Sequence, residues 1–359
     1  MLDPTLAVRA FGDEQHWPPG IRNLAADTTQ EAERSADDQV HDELQDTPDN
    51  EAPPSSRTDY LRIGAWNIEN LGTRAADSLK AGYSEEDQEP EDLAAYILSS
   101  GVNLLALEEI HDDEQTSSDT QGEAPWRNAV LDQTVKILEE QSGLKWKYLL
   151  TAPDGTNDRQ QMTGVLWQTQ RLTLLGRFPI NVPGGTIAGA NVWTRRPEAF
   201  HFSAGEKSSD FAVVPLHMKS NSPTKTGGNP GLPVRMLEVQ QLKNEIGAIS
   251  KAFDGERDII LLGDTNMKRG EATAAVQWGD ILRDLNAAEA NTYIQSGNQP
   301  FDRIFVPFNQ PEYQQAAMTS HGPYGATKEE LQKWRREHLQ KRSDHLLIWM
   351  DVPIMADDD

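Results

Sequence analysis

The stretch Ile259-Ile260-Leu261-Leu262-Gly263-Asp264-Thr265-Asn266 decides the fold class. Its apolar run describes a strand buried on both faces, as found inside a sheet covered from either side. Gly263 permits a sharp exit. The turn then displays a carboxylate and an amide, Asp264 and Asn266, at alternate positions that share a face near a strand end. Both side chains can reach one phosphate.

Further strands are predicted over 61–67, 102–107, 147–151, 163–168, 171–176, 199–203, 211–217, 302–306 and 345–352. Helical spacing appears over 91–100 and 126–141, stopped by Gly101 and Gly143, and again over 233–253. A last helix, 327–342, opens on the capping box Thr327-x-x-Glu330. Strands outnumber helices, and the helices stand apart from one another. The pattern predicts an α/β protein with two mixed β-sheets packed face to face and helices outside.

The chain has 359 residues, a formal charge of −24 and only 37% hydrophobic residues. Much of the negative charge lies in residues 1–58, where acids such as Asp37, Asp38, Asp42 and Glu43 stand against four arginines. This segment is read as an acidic, disordered tail with a possible protein partner, and 59–355 as the folded domain. The absence of cysteine excludes disulfides, thiol nucleophiles and Cys-ligated zinc. No stretch approaches the ~20 apolar residues of a membrane span, and the N-terminus lacks the features of a secretory signal, so cytoplasmic residence is expected.

Polar residues gather at predicted strand ends. Ala65-Trp66-Asn67-Ile68-Glu69 places an amide and a carboxylate at one edge, though the same residues fit a plain turn. Glu108 and Glu109 close an apolar strand and point to opposite faces; such hard oxygen ligands suit Mg2+, Mn2+ or Ca2+, although strand-end acids are commonly just solvated. His217 leaves an apolar strand where it fits a proton donor or merely a satisfied strand-end histidine, and Lys219 beside it could hold a phosphate. Asp344-His345 heads the last strand, with Asp302 a candidate to orient the imidazole.

In order, these clusters read Trp-Asn-x-Glu, Leu-x-Glu, Leu-His-x-Lys, Gly-Asp-x-Asn, Asp-Arg-Ile and Ser-Asp-His. Over 60–353 the chain resembles the endonuclease/exonuclease/phosphatase (DNase I-like) superfamily. The resemblance implies a four-layer α/β sandwich, a divalent-metal-dependent phosphodiesterase and a Mg2+ cofactor, or Mn2+ or Ca2+. It implies Glu109 as principal metal ligand, Asn67 close to the same ion, and Asp344 supporting the metal or the attacking water. His345, oriented by Asp302, would act as general base or bind the phosphate; either His345 or Asp264 would take the proton of water. Asn266 would hold a non-bridging oxygen and His217 would protonate the leaving group. Glu108 departs from the common Gln of the family, and Glu69 stands where relatives often carry Asp.

The expected substrate is DNA. Thr194-Arg195-Arg196-Pro197 resembles the element by which DNase I-type nucleases approach the backbone through an arginine, here Arg195. The helix at 327–342 carries Lys333, Arg335, Arg336, His338, Lys341 and Arg342 directly into Ser343-Asp344-His345, and so brings basic charge to a phosphate-binding end. A solvated helix paired with the acidic tail is the plainer alternative. A phosphatase or phospholipid diesterase of the same superfamily is the competing activity, and a non-catalytic binding module a further one.

Overall fold

The structure is a computed structural model that describes residues 59–72, 88–111, 126–151, 161–206, 208–222, 231–271, 278–279, 281–295, 297–323 and 325–356. The acidic tail expected at 1–58, with the partner assigned to it, lies outside the described residues.

The first sheet orders its strands as β13 (Thr319–Ser320), β14 (Ile348–Pro353), β1 (Tyr60–Leu71), β2 (Leu104–His111), β4 (Gln161–Gln168) and β3 (Trp146–Leu150). The second runs β11 (Leu282–Asp284), β12 (Asp302–Pro307), β10 (Ile259–Asp264), β9 (Asp210–His217), β8 (Glu198–Ser203) and β5 (Thr173–Pro179). Each sheet is antiparallel except for one central parallel pair, β1 with β2 and β9 with β10. The hairpin β6 (Gly185–Ile187) and β7 (Ala190–Val192) stands apart.

Alternation along the strands accounts for the layers. Leu61, Ile63 and Ala65 of β1, Leu104 and Ala106 of β2, Phe211 and Val213 of β9, and Ile260 and Leu262 of β10 meet between the sheets. The intervening residues face outward. Trp66, Ile68, Leu105 and Leu107 pack on α1 (Pro90–Ser100) and α2 (Ala129–Ser142). Val214, Leu216, Ile259 and Leu261 pack on α3 (Gly231–Ala252). This is the four-layer sandwich, and it explains why 259–262 is apolar without alternation: each face meets its own layer. Each fully buried Ile or Leu side chain contributes roughly 1.5–3 kcal/mol over an exposed one.

The helix ends follow the sequence. Gly101 and Gly143 take left-handed φ of 72° and 69° beyond α1 and α2, and Asn128 caps α2 by accepting from Leu131 N. The reciprocal Thr327/Glu330 box opens α4 (Lys328–Lys341). The last strand starts later than expected, at Ile348 rather than His345, because His345 pairs instead with Tyr293 in an isolated bridge. Among the described residues, no helix is long and apolar enough to cross a membrane.

Gly263 joins the two sheets. Its φ is +136°, and a Cβ there would stand 2.3 Å from Leu216 O and 2.5 Å from Glu108 Oε1. Gly263→Ala is therefore expected to cost about 3 kcal/mol or more, read as a fall in the urea midpoint with the transition slope unchanged.

Candidate active site

The alternation that builds the inter-sheet core also builds the site. Continuing the inward rows by one step brings Asn67 after Ala65, Glu108 after Ala106, His217 at the end of β9, Asp264 after Leu262, and Asp302 before Ile304. The apolar interior thus ends in a rung of polar side chains, all buried. The registers set Asn67 against Glu108 in the first sheet, and Asp264 against both His217 and Asp302 in the second.

Glu109 by alternation would face outward. The β1–β2 ladder shifts register between Asn67 and Leu71, and Glu109 adopts a left-handed φ of 61°. The resulting bulge turns its carboxylate into the site. Glu69, Asn70 and Asn266 are also left-handed, at 54°, 55° and 53°. Non-glycine residues pay for that conformation, and four of them gather beside the polar rung.

Asn67 Nδ2 donates to Glu109 Oε1 and to Asp264 Oδ2, both at 3.1 Å, and so links the two sheets. Its Oδ1 accepts from Glu69 N at 2.9 Å, which fixes the orientation of the amide. Asn67 therefore holds both carboxylates, with its Oδ1 engaged by the Glu69 backbone. Asn70 N donates to Glu109 Oε2 at 3.1 Å. Asn266 grips Asp264 from both its N (2.7 Å, to Oδ1) and its Nδ2 (3.0 Å, to Oδ2), and Nδ2 also reaches Met218 O at 3.3 Å. With both amide protons engaged, Asn266 positions Asp264 instead of offering a free donor to a phosphate oxygen.

His217 Nε2 lies 3.4 Å from Glu109 Oε1 and 3.7 Å from Asp264 Oδ2. Glu109, His217 and Asp264 each offer an atom within 4.8 Å of the others. Burial, then Arg195, holds His217 well below its ordinary pKa, so it is a neutral imidazole. His345 is the opposite case. Burial works against its charge, but Asp302, bonded to Nδ1 at 2.8 Å, and Asp264, 3.9 Å from Nε2, together raise it well above the ordinary value. Burial pushes Asp264 up to about 6, with His345 opposing and Asp302 reinforcing the shift. Asp344 Oδ1 lies 3.8 Å from His345 Nε2; burial, then Glu69, raises its carboxyl well above the usual range.

Sequence reading missed several supports. Ser343 Oγ donates to Asn67 O at 2.6 Å and accepts from His345 N at 3.0 Å, tying the Asp-His segment to β1. Glu69 Oε2 accepts from Asp344 N at 3.1 Å. Glu238, buried on α3, accepts from Trp193 N and Lys219 N and so anchors the loops carrying Arg195 and Lys219. Its spacing from Val234 and Leu242 on one helical face was the available signal. Tyr293 packs its ring 5.1 Å from that of His345.

The basic residues divide. Arg195 Nη2 donates to Met218 O at 2.9 Å, and its guanidinium is close enough to feel Glu109 and Asp264. Lys219 Nζ is engaged with Ser220 O and Oγ, both at 3.0 Å. On α4, Arg335 donates to Ile294 O at 2.9 Å, while Lys333 and Arg336 are exposed. Arg342 pairs with Asp92 of α1 and lies over Tyr96, away from the polar rung. His338 is not a surface cation: it is buried, with Nε2 on His345 O at 2.9 Å.

Glu108 neither faces water nor serves as an exposed ligand. It is fully buried, both carboxyl oxygens lack a hydrogen-bond partner, and burial, then Asp302 and Asp264, raises its pKa well above the carboxylate range. The unfolded chain ionises Glu108 near its ordinary pKa while the fold keeps it protonated, so stability should fall as pH rises above that value. In chelator, Glu108→Gln should match wild type near pH 4 and melt higher at pH 8. A lower melting temperature at pH 8 would show that the charge is wanted.

No family model matches the chain, and no curated protein matches it in sequence. Solved structures match its fold. An endonuclease/exonuclease/phosphatase family protein from Bacteroides thetaiotaomicron aligns over 82% of this chain and 98% of its own, at 17% identity and a TM-score of 0.51. One from Bacteroides vulgatus covers 82% and 99%, at 12% identity and 0.51. A functionally unknown conserved protein from Enterococcus faecalis V583 covers 82% and 100%, at 13% identity and 0.50. Two mixed sheets face to face, helices on both outer faces and alignments that span nearly the whole of those proteins together show the fold of the endonuclease/exonuclease/phosphatase superfamily.

Proposed function

We propose that the chain is a divalent-metal-dependent phosphodiesterase acting on DNA. The observation that carries the reading is the convergence of Glu109, His217 and Asp264 within 4.8 Å, beside a His345–Asp302 pair whose Nε2 lies 3.9 Å from Asp264.

The donor set fits a hard cation. Glu69, Glu109 and Asp264 stand close enough to Asp344 that their charges add to the burial that raises its carboxyl. Glu109 is the favoured ligand, with Asp344 beside it; Mg2+ or Mn2+ suits such oxygens. When bound, the ion would neutralise charge on the phosphoryl oxygens and assist departure of the leaving oxygen.

The remaining steps belong to the side chains. Asp264, with a pKa near 6 and both oxygens oriented by Asn67 and Asn266, suits a general base working near neutral pH. His345, held cationic by Asp302, suits a phosphate oxygen better than a water proton. His217, neutral, would hydrogen-bond the leaving oxygen through an N–H rather than protonate it as the resemblance implied, and solvent would supply that proton. Asn266 and Asn67 set the carboxylates in place, and Arg195 adds positive charge on the second sheet's side.

The preference for DNA rests on Arg195 and on the exposed Lys333 and Arg336 of α4, with Arg335 reaching the segment that packs on His345. Such cations would contact the phosphate backbone of a phosphodiester polymer without sequence preference.

Wild-type protein should nick supercoiled plasmid with Mg2+ and not with EDTA, and His345→Ala and Glu109→Gln should each lower the rate ~10²–10⁴-fold. Cleavage of monoesters or phospholipids but not plasmid would favour the competing substrates. No turnover of any phosphoester would leave the binding-module reading. Lys333→Gln with Arg336→Gln should weaken DNA binding and reduce the slope of log K against log salt by about 1–2, with kcat little changed; an unchanged slope removes α4 from the DNA contact.

A further inference from the structure

A second cluster of ligand-type side chains occupies the other end of the second sheet. β9 runs from Asp210 to His217, so its start lies roughly 23 Å from the polar rung at ~3.3 Å per residue. There His201 Nε2 of β8 stands 3.0 Å from Asp210 Oδ2 and 3.3 Å from Glu256 Oε2. Ligand atoms of all three lie within 4.8 Å of one another.

Hydrogen bonding does not account for the arrangement. A ring nitrogen carries one proton, yet two carboxylates converge on the same Nε2. Glu256 is 3% exposed, and its Oε2 makes no well-formed hydrogen bond, whereas its Oε1 accepts from Asp258 N at 2.5 Å. Oε2 is thus hidden and fixed in direction, and its one neighbour, His201 Nε2 at 3.3 Å, already bonds to Asp210, an under-satisfaction that buried polar groups normally avoid.

The surroundings deepen the imbalance. Asp258, 5% exposed, also hides an oxygen without a partner, and burial with the neighbouring Glu312 pushes its carboxyl up to about 10. Four carboxyl groups, Asp258, Glu312, Glu256 and Asp210, act together on buried Tyr313, and no cation is among the groups that shift it. Phe253 stacks on the imidazole with ring centroids 4.8 Å apart and fixes its plane. The His201 and Asp210 side chains keep 12% and 24% of their surface, which leaves an open side for an ion and its waters.

We propose that His201, Asp210 and Glu256 form a second divalent-cation site, structural in role, that takes an ion of the Mn2+ or Zn2+ class. One imidazole and two carboxylates favour such ions over Mg2+ and Ca2+, which prefer all-oxygen shells. Such an ion would cross-link β8, the start of β9 and the turn between α3 and β10. It would touch nothing in the phosphate site, so the assignment stands independently of the proposed activity.

Mn2+ provides the probe. Full-length protein stripped with EDTA and titrated with Mn2+ at pH 8, with bound ion counted by electron paramagnetic resonance, should hold one ion more than the Asp210→Asn/Glu256→Gln variant. A Glu109→Gln/Asp264→Asn variant should keep that ion, and Zn2+ should raise its melting temperature by several degrees. Equal Mn2+ counts in wild type and Asp210→Asn/Glu256→Gln would overturn the site. Should the latter variant fail to fold, anomalous scattering from Mn2+-soaked wild-type crystals decides: a peak ~2.0–2.3 Å from His201 Nε2 supports the site, and its absence there refutes it.

Discussion

The structure depends on a strict two-residue alternation in the four central strands of two facing sheets. It sends Ala65, Ala106, Val213 and Leu262 into the shared core, and these inward rows end in polar residues: Asn67, Glu108, His217 and Asp264, with Asp302 beside them. A sandwich interior that ends this way must satisfy its polar groups among themselves or with something brought in. Asn67 bridges the sheets by bonding to both Glu109 and Asp264. The same rung therefore closes the core and opens the site.

Much of this was legible in the sequence. The apolar run at 259–262 followed by Gly263, the glycine stops of α1 and α2, and the Thr327/Glu330 cap each carry a local physical signature, and each element appears where expected. The residues expected to converge do converge: Asn67, Glu109, His217, Asp264, Asn266, Asp302, Asp344 and His345 form one network. Their individual tasks were less legible. Which oxygen of Asn67 or which proton of Asn266 is already engaged depends on partners distant in sequence, and no spacing rule encodes it.

Other features left no sequence trace. The left-handed backbone at Glu109 turns an outward residue inward, yet nothing about a glutamate announces that conformation. Glu108, read as wet or metal-binding, is fully buried because alternation rather than charge sets its direction, and that burial raises its carboxyl well above the usual range. On α4 the basic composition overstated the free charge. His338 supports His345 from the core, and Arg342 turns to Asp92, which leaves Lys333 and Arg336 to solvent.

The central claim is that side chains from both sheets act on one phosphate as a single unit. A double-mutant cycle across the sheets tests it most directly: Glu109→Gln on β2 and Asp264→Asn on β10, read in kcat/KM on a phosphodiester substrate. Groups that work as a unit are strongly non-additive, so the double variant should be no more than about tenfold slower than the slower single variant. Losses that multiply in full would mean that the two carboxylates act independently, and would contradict the account.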